Sequence, residues 1–175
     1  SQTGKAERRQ VAEHVQGLSR MPSGVRTHWL WQTPESPSIL EAAGYDYDST
    51  FGYNDAVGYR AGTLQAFRPL GCARLLELPL IVQDTAMFYS QRMGLSNGAA
   101  RRHLQMCVDS ATRFGGVLTV NWHQRSLGPE RLWRELYSDW LDELRRRPAL
   151  FAKASEAVRF FRRRRALRFV EQESD

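Results

Sequence analysis

No apolar run in the chain approaches the roughly 20 residues that a membrane-spanning helix needs. The first residues are polar where a signal peptide carries an apolar core. A soluble chain is therefore expected; a cytoplasmic location is the default, and no residue decides it. Cysteine is scarce as well: Cys72 and Cys107 stand far apart with no CxxC spacing. That excludes a disulfide framework and a zinc knuckle and leaves reduced, structural thiols. Excess charge is nearly absent over residues 1–140, with 15 basic and 13 acidic side chains, whereas residues 141–175 carry 10 and 6. The net charge of +6 thus comes mainly from Arg145–Arg147 and Arg162–Arg165 in a basic tail over 155–175 and just before it. Runs of this kind in helical surroundings make solvated faces or contacts to acidic glycan, lipid or partner surfaces, and no specific nucleic-acid recognition is expected.

What is present is ordinary in amount: 42% hydrophobic and 25% charged residues over 175 positions, enough for one domain or for a piece of a larger one. Residues 5–19 space Val11, Val15 and Leu18 as one helix face, with His14 on the polar side. After the turn at 21–24, residues 25–30 read as a strand with Arg26 and His28 on one face, lining a wet pocket or forming a buried pair. A short helix over 38–43 stops at Gly44, and 45–51 reads as a second strand. The long connection 52–70 offers Tyr53, Tyr59, Arg60 and Phe67 for stacking on a ligand, although a structural loop would look the same. Residues 75–82 form a third strand whose Pro79 implies an edge or a bulge, with Asp84 just beyond it.

The spacing of Leu104, Cys107, Val108, Ala111 and Phe114 predicts a helix over 97–114. It feeds the stretch Gly115-Gly116-Val117-Leu118-Thr119-Val120-Asn121-Trp122-His123, a buried strand that delivers His123 to its carboxyl edge, where parallel sheets place ligands and chemistry. A histidine there also has a plain structural use, bonding a carbonyl. Helices are expected over 130–146, with Leu132 in its apolar stripe, and over 156–166, capped by Ser155 or a neighbour; residues 167–170 extend as a short strand. Strands separated by helices imply an α/β chain with parallel strands.

The segments GVRTHWLW, EAAGYDYDSTFGYNDAVGYRAGT, LLELPLIVQD and GGVLTVNWH, in this order, resemble the later part of the polysaccharide deacetylases, the NodB-homology domains of carbohydrate esterase family 4. The likeness covers about residues 5–165. It implies the C-terminal portion of a distorted (β/α)7 barrel, one partial domain over 1–175, and removal of N- or O-acetyl groups from a sugar or polysaccharide. In that scheme a divalent metal such as zinc and an aspartate activate water, and a histidine protonates the leaving group. Carried over, His123 is the general acid, Arg26 the arginine that orients the base, and Asp48, or failing it Asp84, the aspartate that tunes His123. Tyr59, Arg60, Trp122 and His28 are the candidate substrate contacts.

Two departures accompany the likeness. No TFDD-like or HxxxH-like run is present, so no metal is expected to bind this chain alone. The metal and base are expected from a missing N-terminal half of the barrel or a partner chain, and the chain by itself is expected to be inactive. Asn121 and the pair His28-Trp29 also differ from the usual residues at their positions. The alternative is an accessory domain of the same fold that binds carbohydrate or a membrane surface without chemistry.

Overall fold

The computed structural model describes residues 5–7, 10 and 22–168. The helix expected over 5–19 lies outside the described residues, apart from residues 5–7 and 10, which are helical. Five strands and five α-helices follow: β1 (Gly24–Val25), α1 (Ser36–Ala43), β2 (Tyr47–Asp48), β3 (Leu76–Glu77), β4 (Leu80–Gln83), α2 (Asp84–Phe88), α3 (Asn97–Phe114), β5 (Thr119–Asn121), α4 (Arg134–Arg145) and α5 (Ala154–Ala166). β1, β2 and β3 pair in that order and β4 pairs with β5, each pairing parallel. The protein is thus mixed α/β with short parallel strands in chain order.

Pro79 explains why one expected strand became two. It has no N–H to give a ladder, and the chain passes there from the first sheet into the second. The strand expected over 25–30 ends at Val25 for a different reason. Trp29 and Leu30 adopt left-handed backbone, φ 59° and 52°, and His28–Leu30 form a single 3-10 turn. Arg26 and His28 consequently do not share a strand face. The strand over 45–51 shortens to Tyr47–Asp48, and residues 167–168 carry no strand, the remainder of that expected extension lying outside the described residues.

Helix ends show local chemistry at work. Gly44 closes α1 at φ 93°, as the sequence pattern anticipates. Ser96 caps α3, its hydroxyl accepting from the Ala99 N–H at 3.3 Å. The Glu156 carboxylate accepts from the Lys153 N–H at the start of α5, so Ser155 is not the cap. α4 starts at Arg134 instead of 130 because Leu132 has φ 58°, which no helix interior accommodates, and its side chain is exposed.

Each sheet has its own apolar cover. Leu104, Cys107 and Val108 of α3 pack with Leu136 and Trp140 of α4 over Ile81 and Val82 of β4. Val158 and Phe161 of α5 pack on Leu76, Leu78 and Ala66. Burying a side chain of this size stabilises by roughly 1.5–3 kcal/mol. Part of the arginine run serves this docking: Arg162 pairs with Asp46 at 2.9 Å and Arg165 donates to the Ala66 carbonyl at 2.9 Å. Arg145 and Arg147 likewise pair with Asp142 and Glu143 on their own helix or its end. Both cysteines are buried and unbonded, and burial pushes both thiols up.

Candidate functional site

The stretch between α3 and β5 shows how the sequence aims its histidine. Gly115 ends the helix at φ 67°, and Gly116, at φ 123°, passes so close to the Leu64 backbone that a Cβ would lie 2.8 Å from its carbonyl oxygen. The released chain enters β5, where Asn121 registers beside Gln83 of β4. One and two residues further on, Asp84 and His123 meet at the carboxyl ends of their strands.

The Asp84 carboxylate is fully buried and its oxygens are fixed from three directions. Oδ2 accepts from the His123 backbone N–H at 2.8 Å, and Oδ1 accepts from the Thr85 N–H at 2.7 Å. Oδ1 also lies 2.6 Å from His123 Nδ1. A carboxylate accepts, so Nδ1 is the protonated ring nitrogen and Nε2 is left to the solvent side. The side chain of His123 is 46% exposed. It has the arrangement of a catalytic histidine, one ring nitrogen held by a buried acid and the other facing open space.

That space is a cleft of about 380 Å³ at the strand ends, within the ~300–1,000 Å³ typical of small-ligand sites. Arg26 and His28 line it together with His123. Trp29 lines its lip, 67% exposed, with its carbonyl held by the Asn54 side-chain amide. Strained left-handed backbone at a bulky, exposed aromatic residue is uncommon and clusters at binding sites.

Asp48 is elsewhere. It is buried, its Oδ1 accepts from the Ser49 N–H at 2.8 Å and from the Thr50 hydroxyl, and it registers beside Glu77 of β3. The structure therefore places Asp84, the second choice, against His123, because β4 and not β2 neighbours β5. Arg26 donates to the Ser49 carbonyl and hydroxyl, each at 2.9 Å, above this carboxylate pair. Burial lowers the Arg26 guanidinium, with Asp48, Glu77 and Tyr47 opposing. Burial likewise raises Asp48, and burial followed by the Asp48 charge pushes Glu77 up to about 8.

Three expected substrate contacts turn away from the cleft. Trp122 is wedged between Phe88 and Tyr137, stacked on the latter at 4.5 Å, because β alternation sends it to the core side of His123. Tyr59 reaches the Cys107 carbonyl at 3.4 Å and lines a separate cavity beside α3. Arg60 lies over Phe51 and donates to the Gly52 carbonyl at 3.0 Å. Cleft residues not anticipated as contacts from sequence include Trp29, Tyr89, Arg92, Arg125 and Arg131. Among the described residues no group of three or more His, Cys, Asp or Glu side chains is arranged to hold a metal ion.

Comparison with known proteins identifies no relative. No family model, no curated protein and no solved structure matches the chain.

Proposed function

We propose that the chain carries the acid-catalytic part of a sugar deacetylase, as its likeness to the polysaccharide deacetylases implies. The observation that supports this most is the Asp84–His123 pair, set at the carboxyl ends of parallel strands and open to the cleft on the Nε2 side. When an acetamide is hydrolysed, a water oxygen bonds to the carbonyl carbon, the C–N bond breaks and the amine leaves with a proton. His123 Nε2 first takes up a proton from cleft water, giving the imidazolium that the Asp84 carboxylate stabilises and orients through Nδ1, and then delivers that proton to the amine, returning to the neutral ring. In an acetyl ester the same proton goes to the leaving alcohol.

The water-activating base and the divalent metal of this chemistry are proposed to come from a preceding segment or a partner chain that completes the barrel. Parallel strands in chain order are what a portion of a (β/α)7 wall requires. A second reading, carbohydrate binding without chemistry, is favoured by Trp29, whose exposed ring at the cleft lip offers a sugar a flat apolar platform.

The experiment is an NMR titration of the chain with an N-acetylglucosamine oligomer, following the His123 imidazole. It is paired with an acetate-release assay with and without added zinc. The deacetylase reading predicts that His123 Nε2 shifts on binding and that any acetate release disappears in His123→Gln. Binding that moves Trp29 and leaves His123 unmoved supports the accessory reading. A His123 resonance and an acetate signal both indifferent to the oligomer sink the deacetylase reading.

A further inference from the structure

Three guanidinium groups line the cleft without a carboxylate to answer them. Arg92, Arg125 and Arg131 share it with His123, and no aspartate or glutamate lines it among the described residues. None of the three belongs to an ion pair between described residues. Arg26 is different, since its charge faces Asp48 and Glu77 below the cleft.

Two of the three are held in place by neutral groups. Arg92 donates to the Thr85 hydroxyl at 2.8 Å, and its guanidinium carbon lies 5.3 Å from the centre of the Tyr89 ring. Arg131 donates to the Tyr89 hydroxyl at 2.8 Å and lies 5.1 Å from the centre of the same ring and 5.0 Å from that of Trp133. One phenol ring thus gathers two cations. Like charges so close repel, and ring contacts with two hydrogen bonds position the cations without neutralising them. Guanidinium forks held at fixed positions in a concave site match the geometry of an oxyanion, which takes parallel N–H bonds from them.

We propose that this cleft binds a sugar carrying an oxyanion, a phosphate or a carboxylate, seated on Arg92 and Arg131 with Arg125 at the mouth. The proposal deepens the sugar reading of the same site, adding an acidic group to the acetylated sugar that His123 faces. Thr85 links the two halves physically. Its N–H bonds the Asp84 carboxylate, while its hydroxyl accepts from Arg92 and from the buried Gln83 amide at 2.8 Å. The residue that helps fix the proton-transfer pair therefore also fixes one of the anion-binding groups.

Isothermal titration of the chain with four probes tests this: N-acetylglucosamine, N-acetylglucosamine 6-phosphate, N-acetylmuramic acid and inorganic phosphate. At least one acidic sugar is expected to bind about tenfold or more tighter than the neutral one. The preference should shrink in Arg92→Gln and in Arg131→Gln, and it should weaken with added salt. Arg125→Gln, whose side chain is exposed, guards against loss of fold and should remove a smaller part of the preference. Arg163→Gln, on the exposed face of α5, should leave it unchanged and so separates a built site from net charge. Phosphate against muramic acid shows which oxyanion is preferred. Equal binding of neutral and acidic sugars overturns the proposal and leaves the sugar reading standing. Inorganic phosphate binding as tightly as the phosphosugar keeps the anion site and overturns the sugar reading. Failure of every anionic probe to bind overturns the proposal, as does a preference that Arg163→Gln lowers as much as Arg92→Gln.

Discussion

Two clusters that set carboxyl groups against a nitrogen side chain stand at the carboxyl ends of the parallel strands, and they differ in solvent access. At the first sheet, Arg26 lies over Asp48 and Glu77, both carboxyls almost fully buried. At the second, Asp84 is equally buried, yet its partner His123 reaches the cleft. The first cluster buries both its carboxyls beneath Arg26, which itself borders the cleft, so its energy goes into which protonation states the fold permits. The second encloses only the acid and leaves the base a free nitrogen. A buried carboxylate is therefore common to both; chemistry depends on whether its partner has a second, open face.

The largest effect is expected from opening the enclosed cluster. Arg26→Met leaves two carboxyls without a cation and should cost about 3–5 kcal/mol in urea unfolding, with part of it recovered when Glu77→Gln is added. A loss under about 1 kcal/mol would mean that the two clusters are not distinct in kind. The next effect is one of pH. Glu77 is pushed up to about 8 in the folded protein against an ordinary 4.5, first by burial and then by Asp48. A raised folded value means that the fold holds a proton which the unfolded chain releases. The resulting stability is fully present below about pH 4.5 and lost as pH rises through about 8. Asp48, also raised by burial, adds in the same direction. Stability should fall by roughly 2–4 kcal/mol from pH 5 to pH 8, and Glu77→Gln should flatten most of that slope.

A smaller and more local effect separates the two aspartates. Asp84→Asn keeps one acceptor oxygen where three donors converge, so about 1–2 kcal/mol should be lost. The nitrogen shifts of His123 should then report mixed ring tautomers. Asp48→Asn should leave those shifts untouched. The reverse pattern would return Asp48 to the role that the family likeness assigns it first.

The residues show why that choice was hard to make in advance. Local signals located α3 and a strand after Gly115-Gly116, although that strand is only Thr119–Asn121, half-buried and not buried as expected, with His123 two residues past its end. Pairing is not local: Asp48 ends β2 and Asp84 directly follows β4, and only the break at Pro79, which sends β4 beside β5, decides between them. Trp122 and Tyr59 were attractive as aromatic residues beside motifs, but side-chain direction depends on register and on which helix covers a strand. The cleft arginines carry no local signal for a related reason. Arg92 follows α2, Arg125 lies in a 3-10 turn and Arg131 precedes α4, so nothing in their spacing shows that one tyrosine gathers two of them. The left-handed pair Trp29-Leu30 left no composition signal at all, because neither residue type favours that backbone.

That strained pair gives the finest test of the difference between the clusters. Trp29 sits at φ 59° and ψ 16°, a conformation that costs a residue with a side chain about 1–2 kcal/mol and glycine almost nothing. Glycine in turn loses about 0.5–1 kcal/mol through the extra freedom of the unfolded chain. Because the indole is exposed, little packing is lost, and Trp29→Gly should stabilise the protein by about 0.5 kcal/mol in thermal or urea unfolding. On the proposed function the same change removes an exposed ring at the cleft lip, and binding of an N-acetylglucosamine oligomer should then weaken by about tenfold. Stability and binding moving in opposite directions would mark the lip as built for a ligand. A loss of more than about 1 kcal/mol would instead make Trp29 a packing residue, and the open cluster would then keep His123 without a sugar platform.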